Sequence, residues 1–223
     1  MRICTSISPR RKERQQKCIK SWLSLGYKVT AIQSNGESSS LQRDYPKVNF
    51  IETTSVGDVF NRIKLVRIRA ILDQARSGNI LILNSDIEIR STSEEFSKIW
   101  TPIEGNNLQI GIRWEEDPKT KSLSLLKYGI DAFLITPKIA NDLNDIGMTM
   151  GCPAWDYWIP IHLQRKGYQI HTTKHLNLFH EIHEQNWNKD DFTVGVRLLQ
   201  KHYGLSLKEA SAFILNITER TNL

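Results

Sequence analysis

With 223 residues, a formal net charge of +6 and a pI near 9.2, the chain is long enough for one sizeable domain with a real core and short for two. Its 39% hydrophobic and 24% charged residues argue against a disordered or fibrous protein, and the basic balance admits phosphates, nucleic acid or acidic lipid as partners without choosing among them. Cys4, Cys18 and Cys152 have no C-x-x-C spacing, which suggests neither a disulfide framework nor a cysteine zinc site.

A reducing cytoplasm fits that cysteine usage. The start, MRICTSISPRRKER, lacks the apolar stretch of a signal peptide, and no window approaches the ~18 consecutive apolar residues of a membrane span. The expectation is a soluble protein, peripheral to membranes at most.

Arg2 to Ile7 is a predicted strand, and RKERQQKCIKSWLSLG reads as an amphipathic helix with Cys18, Ile19, Trp22, Leu23 and Leu25 near one face and Gly26 at its end. YKVTAIQ is a second strand, NGESSS (Asn35 to Ser40) a surface loop, and KVNFIET a third strand. Ile63, Val66, Ala70, Ile71 and Ala75 recur at helical spacing, which predicts a helix over Asn61 to Arg76. NILIL follows as a fourth strand, apolar on both faces, the pattern of a strand in the middle of a parallel sheet covered by helices.

This alternation implies an α/β open sheet. The second half is mixed. LQIGIRW and GIDAFLIT are predicted strands, Pro137 to Asp145 a short helix, and Pro153 to Lys166 a helix opened by Pro and closed by Gly167. A short strand at Tyr168 to His171, a His-rich loop and a basic helix from Lys189 to Tyr203 complete the pattern. No repeat, low-complexity tract or dividing linker is present, so residues 1–223 are expected to form a single domain.

The chemistry concentrates in ILILNSDIEIR, where the buried strand runs into Asn84, Ser85, Asp86 and Glu88. Ligands of open α/β sheets bind beyond the carboxyl ends of the strands. If the chain stays extended there, Asp86 and Glu88 face one side and converge on one cation, and such oxygen ligands suit magnesium or manganese better than zinc. The alternative is ordinary turn chemistry at a strand end. Later, NLFHEIHEQNW places His180 and His183 beside Glu181 and Glu184. The spacing is H-E-x-H, unlike the H-E-x-x-H of zinc proteases, and either histidine can complete a metal site or simply hydrogen-bond in a loop.

RICTSISPRRKERQQKCIKSWLSLGYKV, ILILNSDIEI, GIDAFLITP, GCPAWDYWIP and FHEIHEQNW, in that order, resemble the GT-A-type glycosyltransferases, nucleotide-sugar-dependent enzymes with a D-x-D-type metal motif. The resemblance implies a Rossmann-like open mixed sheet with helices on both faces. It also implies a divalent cation, manganese or magnesium, held against the diphosphate of a sugar nucleotide. Asp86 keeps the first position of the motif; Glu88 replaces the commoner second Asp. A late histidine supplies a further ligand in such enzymes, here His180 first and His183 second. By the same analogy Thr5, Ser6 and Arg10 contact the nucleotide and Asn84 and Ser85 belong to the phosphate-side polar cluster, with Lys64 and Arg67 as further phosphate candidates. Arg10, Arg11, Lys12 and Arg14 follow the first strand and so lie near the nucleotide crevice on this fold, with a solvated helix face as the expected place of Arg11 and Lys12.

Asp156, flanked by Trp155, Tyr157 and Trp158, is the candidate base for the acceptor hydroxyl, since aromatic neighbours offer a sugar a stacking face and desolvate the acid. Its alternative role is helix-dipole stabilisation in a first turn. Asp131 is the second catalytic candidate, or a strand-end residue satisfied by backbone amides. The implied partners are a nucleotide-sugar donor and a glycan, lipid-linked or small-molecule acceptor. A nucleotidyltransferase is the competing enzyme class, disfavoured because SISPRRKERQ has no glycine. A nucleic-acid-binding protein lacks zinc-finger or RNP-type support, and a non-catalytic sugar-binding relative would keep the fold without turnover.

Overall fold

The computed structural model describes residues 1–59, 63–173, 178–184 and 189–220. In chain order the elements are β1 (Arg2–Thr5), α1 (Lys12–Ser24), β2 (Lys28–Ser34), α2 (Ser38–Gln42), β3 (Asn49–Thr53), β4 (Val56–Val59), β5 (Ile63–Val66) and α3 (Ile68–Leu72), which continues into a 3-10 turn at Asp73–Ser77. Then come β6 (Ile80–Leu83), β7 (Ile87–Ile89), α4 (Ser93–Ile99), β8 (Asn107–Glu116), β9 (Leu123–Ile135), α5 (Pro137–Asp142), α6 (Trp155–Arg165), β10 (Gln169–Thr173), β11 (Leu178–Glu181), α7 (Lys189–Tyr203) and α8 (Leu207–Arg220).

Among the described residues, nine strands from both halves of the chain share one sheet in the order β3-β2-β1-β6-β9-β8-β11-β7, with β10 also on β8. The β3, β2, β1 and β6 strands are parallel to one another, whereas β9 runs antiparallel to both β6 and β8. The predicted all-parallel surroundings of NILIL therefore hold on one side only. Burial on both faces is what an unalternating strand requires, and β6 has it: Ile80 and Ile82 enter the core under α3, α5 and α6, and Leu81 and Leu83 the core under α1 and α4. Strand direction leaves no trace in that pattern.

The predicted helix at 61–76 is replaced by the β4–β5 hairpin and the short α3; residues 60–62 lie outside the described ones. Tertiary pairing overrides the helical period here. The Met150 amide donates to the Val66 carbonyl at 2.9 Å and the Ile68 amide to the Met148 carbonyl at 2.9 Å, with Arg67 extended between them. The NGESSS loop ends in α2 from Ser38. The predicted helix from Pro153 opens only at Trp155, because Ala154 is left-handed at φ 72°. β7, α4, β11 and α8 were not expected; α4 opens on a capping box in which Thr92 and Glu95 exchange hydrogen bonds.

Helix α1 covers the edge strand β7. The Trp22 indole, fully buried, donates to the Ile87 carbonyl at 2.8 Å, and the Ile89 amide donates to the Ser21 hydroxyl at 2.9 Å. These bonds satisfy an edge that would otherwise be open and hold in place the turn preceding Ile87. Trp22→Ala should lower the unfolding free energy by about 3–5 kcal/mol, the cost of a buried aromatic truncation, measured by urea denaturation with an unchanged m-value.

Candidate functional site

The chain leaves β6 at Asn84, turns through Asp86 and restarts as β7. This turn breaks the extended geometry that would have placed Asp86 and Glu88 on one side. Glu88 points to Lys17 (2.9 Å) and Arg90 (2.8 Å) instead. Asp86 meets both histidines: its Oδ2 lies 3.4 Å from His180 Nε2 and 3.3 Å from His183 Nε2, and the two Nε2 atoms are 3.1 Å apart. The structure thus brings Asp86, His180 and His183 together and leaves Glu88 on its ion pairs.

The three atoms form a nearly equilateral triangle. His183 Nδ1 donates to the Glu184 carbonyl at 2.7 Å, which leaves Nε2 with its lone pair. His180 is buried, and its Nδ1 faces the Glu115 carboxylate at 3.9 Å without a hydrogen bond, an outer partner of the kind that orients a ligating histidine. Two imidazole nitrogens and a carboxylate oxygen at these separations need positive charge between them, supplied by a proton on His180 Nε2 or by a bound cation. Adjacent donors around a small dication, with bonds of about 2.1 Å, lie about 3.0–3.4 Å apart, so the triad fits such an ion. Two imidazoles beside one carboxylate move the preference from magnesium toward manganese and the later first-row metals. Burial works against the Asp86 charge, yet the hydrogen bond from His180, the charge of His180 and the more distant Arg113 hold its carboxyl below the usual range.

A polar chain leads from this triad across the sheet. Arg113, on β8, reaches Glu115 at 3.2 Å and Asp131 at 2.8 Å. Burial tends to lower the Arg113 pKa, but Asp131 and Glu115 hold it above the ordinary guanidinium value. Asp131, buried within β9 and not at a strand end, also accepts from the Asn84 amide side chain, so it is satisfied by side chains where backbone amides were the expected partners. A methyl group added at Gly129 would lie 3.2 Å from Arg113 Nε; this glycine leaves room for the guanidinium.

Asp156 sits in the first turn of α6, half-buried. Desolvation and the neighbouring Asp131 push its carboxyl up to about 7. The loop before it is held by α7, where a Cβ on Gly195 would lie 1.9 Å from the Pro153 carbonyl oxygen.

Ser85 donates to Gln15 Oε1 at 2.7 Å, and the same buried glutamine accepts from the Ser8 amide at 2.9 Å. Gln15 therefore ties the β1–α1 loop to the Asp86 turn. Thr5 is fully buried at the end of β1, Ser6 donates to Gln33 at 3.1 Å, and Arg10 is exposed. Lys64 is exposed on β5, and Arg67 bonds Asp145 at 3.4 Å. Beside the triad lies a cleft of about 760 Å³ lined by Arg11, Arg14, Lys17, Asp86, Glu181 and His183, among others. Arg11, expected on a solvated helix face, bonds His183 and the Glu184 carbonyl. Sequence reasoning missed Gln15 and Arg113 as site residues; a glutamine inside an apolar helix face and an arginine inside a strand were the available signals.

No family model and no curated protein matches the chain. Solved structures do. S. aureus TarS, crystallised with UDP, aligns over 96% of this chain and 70% of its own at 14% identity and a TM-score of 0.52. GalNAc-T7, crystallised with UDP, GalNAc and Mn2+, aligns over 89% of this chain at 10% identity and a TM-score of 0.54, and the chain spans about half, 48%, of its length. The fold is of the GT-A glycosyltransferase type. On this GT-A fold the triad stands at the carboxyl end of the central strand β6, where open α/β sheets bind ligands. Among the described residues no helix is long and apolar enough to cross a membrane.

Manganese chloride should raise the melting temperature of the protein by mass action. Asp86→Ala, His180→Ala and His183→Ala should each weaken manganese binding at least ~100-fold, more than the loss of an outer partner, while Glu88→Gln should stay within about threefold of the parent; thermal-shift titration separates the two sets.

Proposed function

We propose that the protein transfers a sugar from a nucleoside-diphosphate donor to an acceptor hydroxyl. The observation that carries this reading is the convergence of Asp86 Oδ2, His180 Nε2 and His183 Nε2, 3.1–3.4 Å apart, at the carboxyl end of β6 in a GT-A fold. UDP, bound in both of the solved structures, is the first nucleotide to test. Asp86, His180 and His183 would hold a divalent cation, whose Lewis acidity stabilises charge on the leaving diphosphate.

The chain's own residues do the rest. Asp156 takes the proton of the acceptor hydroxyl, whose oxygen bonds to the anomeric carbon as the bond to the diphosphate oxygen breaks. A carboxyl near 7 suits this role, being ionised often enough to accept a proton and basic enough to draw it. Asp131, fixed by Arg113 and Asn84, orients the donor sugar or the acceptor beside it. Buried groups locked by their own partners position reactants at little cost in entropy. A single displacement of this kind inverts the anomeric centre, and the acceptor is a glycan, a lipid-linked sugar or a small molecule.

The base must be ionised, so kcat/KM should rise with pH at unit slope up to about 7 and then level off. Asp156→Asn should lower kcat by ~10²–10⁴ and remove that limb. Its folded pKa is raised, so the ionised carboxylate costs stability increasingly from the ordinary carboxylate range up to about 7. Asp156→Asn should therefore melt higher than the parent at pH 8 and show little difference at pH 4. An inactive variant that melts lower at pH 8 would mark Asp156 as structural.

A further inference from the structure

Arg11 carries an unusual backbone and an unusual partner. It is left-handed at φ 55°, ψ 44° immediately before α1, a conformation unfavourable for a non-glycine residue. Residues held this way persist where the surroundings over-determine them. Here the guanidinium bonds the Glu184 carbonyl and lies against both ring nitrogens of His183, nearer Nδ1 and 2.9 Å from Nε2.

That nitrogen is the one His183 turns toward Asp86 and His180. Its Nδ1 lies 2.7 Å from the Glu184 carbonyl. A guanidinium against this ring and a cation on its Nε2 would set two positive charges side by side. Three other basic residues lining the cleft are committed to carboxylates: Arg14 to Glu181, Lys17 to Glu88 and Lys12 to Asp44. Arg11 holds a histidine and a backbone carbonyl, neither of them an anion, and it lines a cleft whose size suits a nucleotide.

We propose that Arg11 is a diphosphate-binding residue that caps the triad in the free protein: it leaves the His183 ring when a cation binds there and turns its planar fork onto the diphosphate oxygens. A guanidinium matches two phosphate oxygens at once and gains more there than from a neutral imidazole. Cation and diphosphate then each favour the other's binding, because both gain from one movement of Arg11. The inference rests on the glycosyltransferase reading and names the residue that links its two ligands.

The test uses the full chain, manganese alone followed by electron paramagnetic resonance, and manganese with pyrophosphate followed by calorimetry. The proteins are the parent, Arg11→Ala, Arg11→Gly and His180→Ala. Glycine accepts the left-handed backbone without strain, so agreement between the two Arg11 variants isolates the side chain. Both should bind manganese alone about fivefold more tightly, because a positive charge beside the cation site is removed. Both should bind manganese pyrophosphate about tenfold or more weakly, because no guanidinium is left to donate charge-assisted hydrogen bonds to its oxygens. Unchanged or weaker manganese binding in both variants, or unchanged pyrophosphate binding, overturns the role of Arg11 while the triad stands. Manganese that fails to bind the parent, or binds His180→Ala as well as the parent, overturns the cation site and this inference with it.

Discussion

The candidate site depends on three side-chain atoms brought together from distant parts of the chain. Asp86 Oδ2, His180 Nε2 and His183 Nε2 lie 3.1–3.4 Å apart, with each Nδ1 turned toward an oxygen. Such a cluster needs positive charge at its centre, a proton on His180 or a cation in its place. Packing elsewhere in the fold sets these separations.

That packing comes from the two cores flanking β6. Its four residues are fully buried, so the strand end cannot shift, and the turn beyond it is pinned from three directions. Trp22 fixes the Ile87 carbonyl, Gln15 takes the Ser85 hydroxyl, and Asp131 takes the Asn84 amide. The histidines arrive on and just after β11, which pairs with both β7 and β8, so the sheet itself sets their separation from Asp86. Two glycines complete the fit. Gly129 admits the Arg113 side chain that joins Glu115 to Asp131, and Gly195 lets α7 close on the loop before Asp156.

Where the local signal and the tertiary contacts agree, the sequence was legible. The α1 face bearing Cys18, Ile19 and Trp22 is buried as its period implies, and the run into Asp86 marks a central strand meeting polar residues. Where they compete, it was misleading. Ile63 to Ala75 repeats at a helical period, yet backbone bonds to Met148 and Met150 draw Val66 and Arg67 into extended structure. The capping box from Thr92 to Glu95 was readable and announces α4. The same spacing, S-x-x-E at Ser206 and Glu209, announces α8, whereas β7 offers no comparably sharp signal: it is three residues long, and its identity as a strand depends on β11.

By itself the sequence determined the α/β alternation, the buried β6 and the types of residue available for chemistry: acids after a strand, paired histidines late in the chain and an acid among aromatics. These are local properties, read from spacing and polarity. Only the tertiary structure decided which of them meet. Asp86 and His183 stand 97 residues apart in sequence and 3.3 Å apart in space, while Glu88, two residues from Asp86 and lining the same cleft, is held by Lys17 and Arg90. The physical reason is that side-chain direction alternates only while a strand continues. A single turn at Asn84 to Asp86 resets it, and the partners on either side of that turn come from strand pairings with segments distant in the chain.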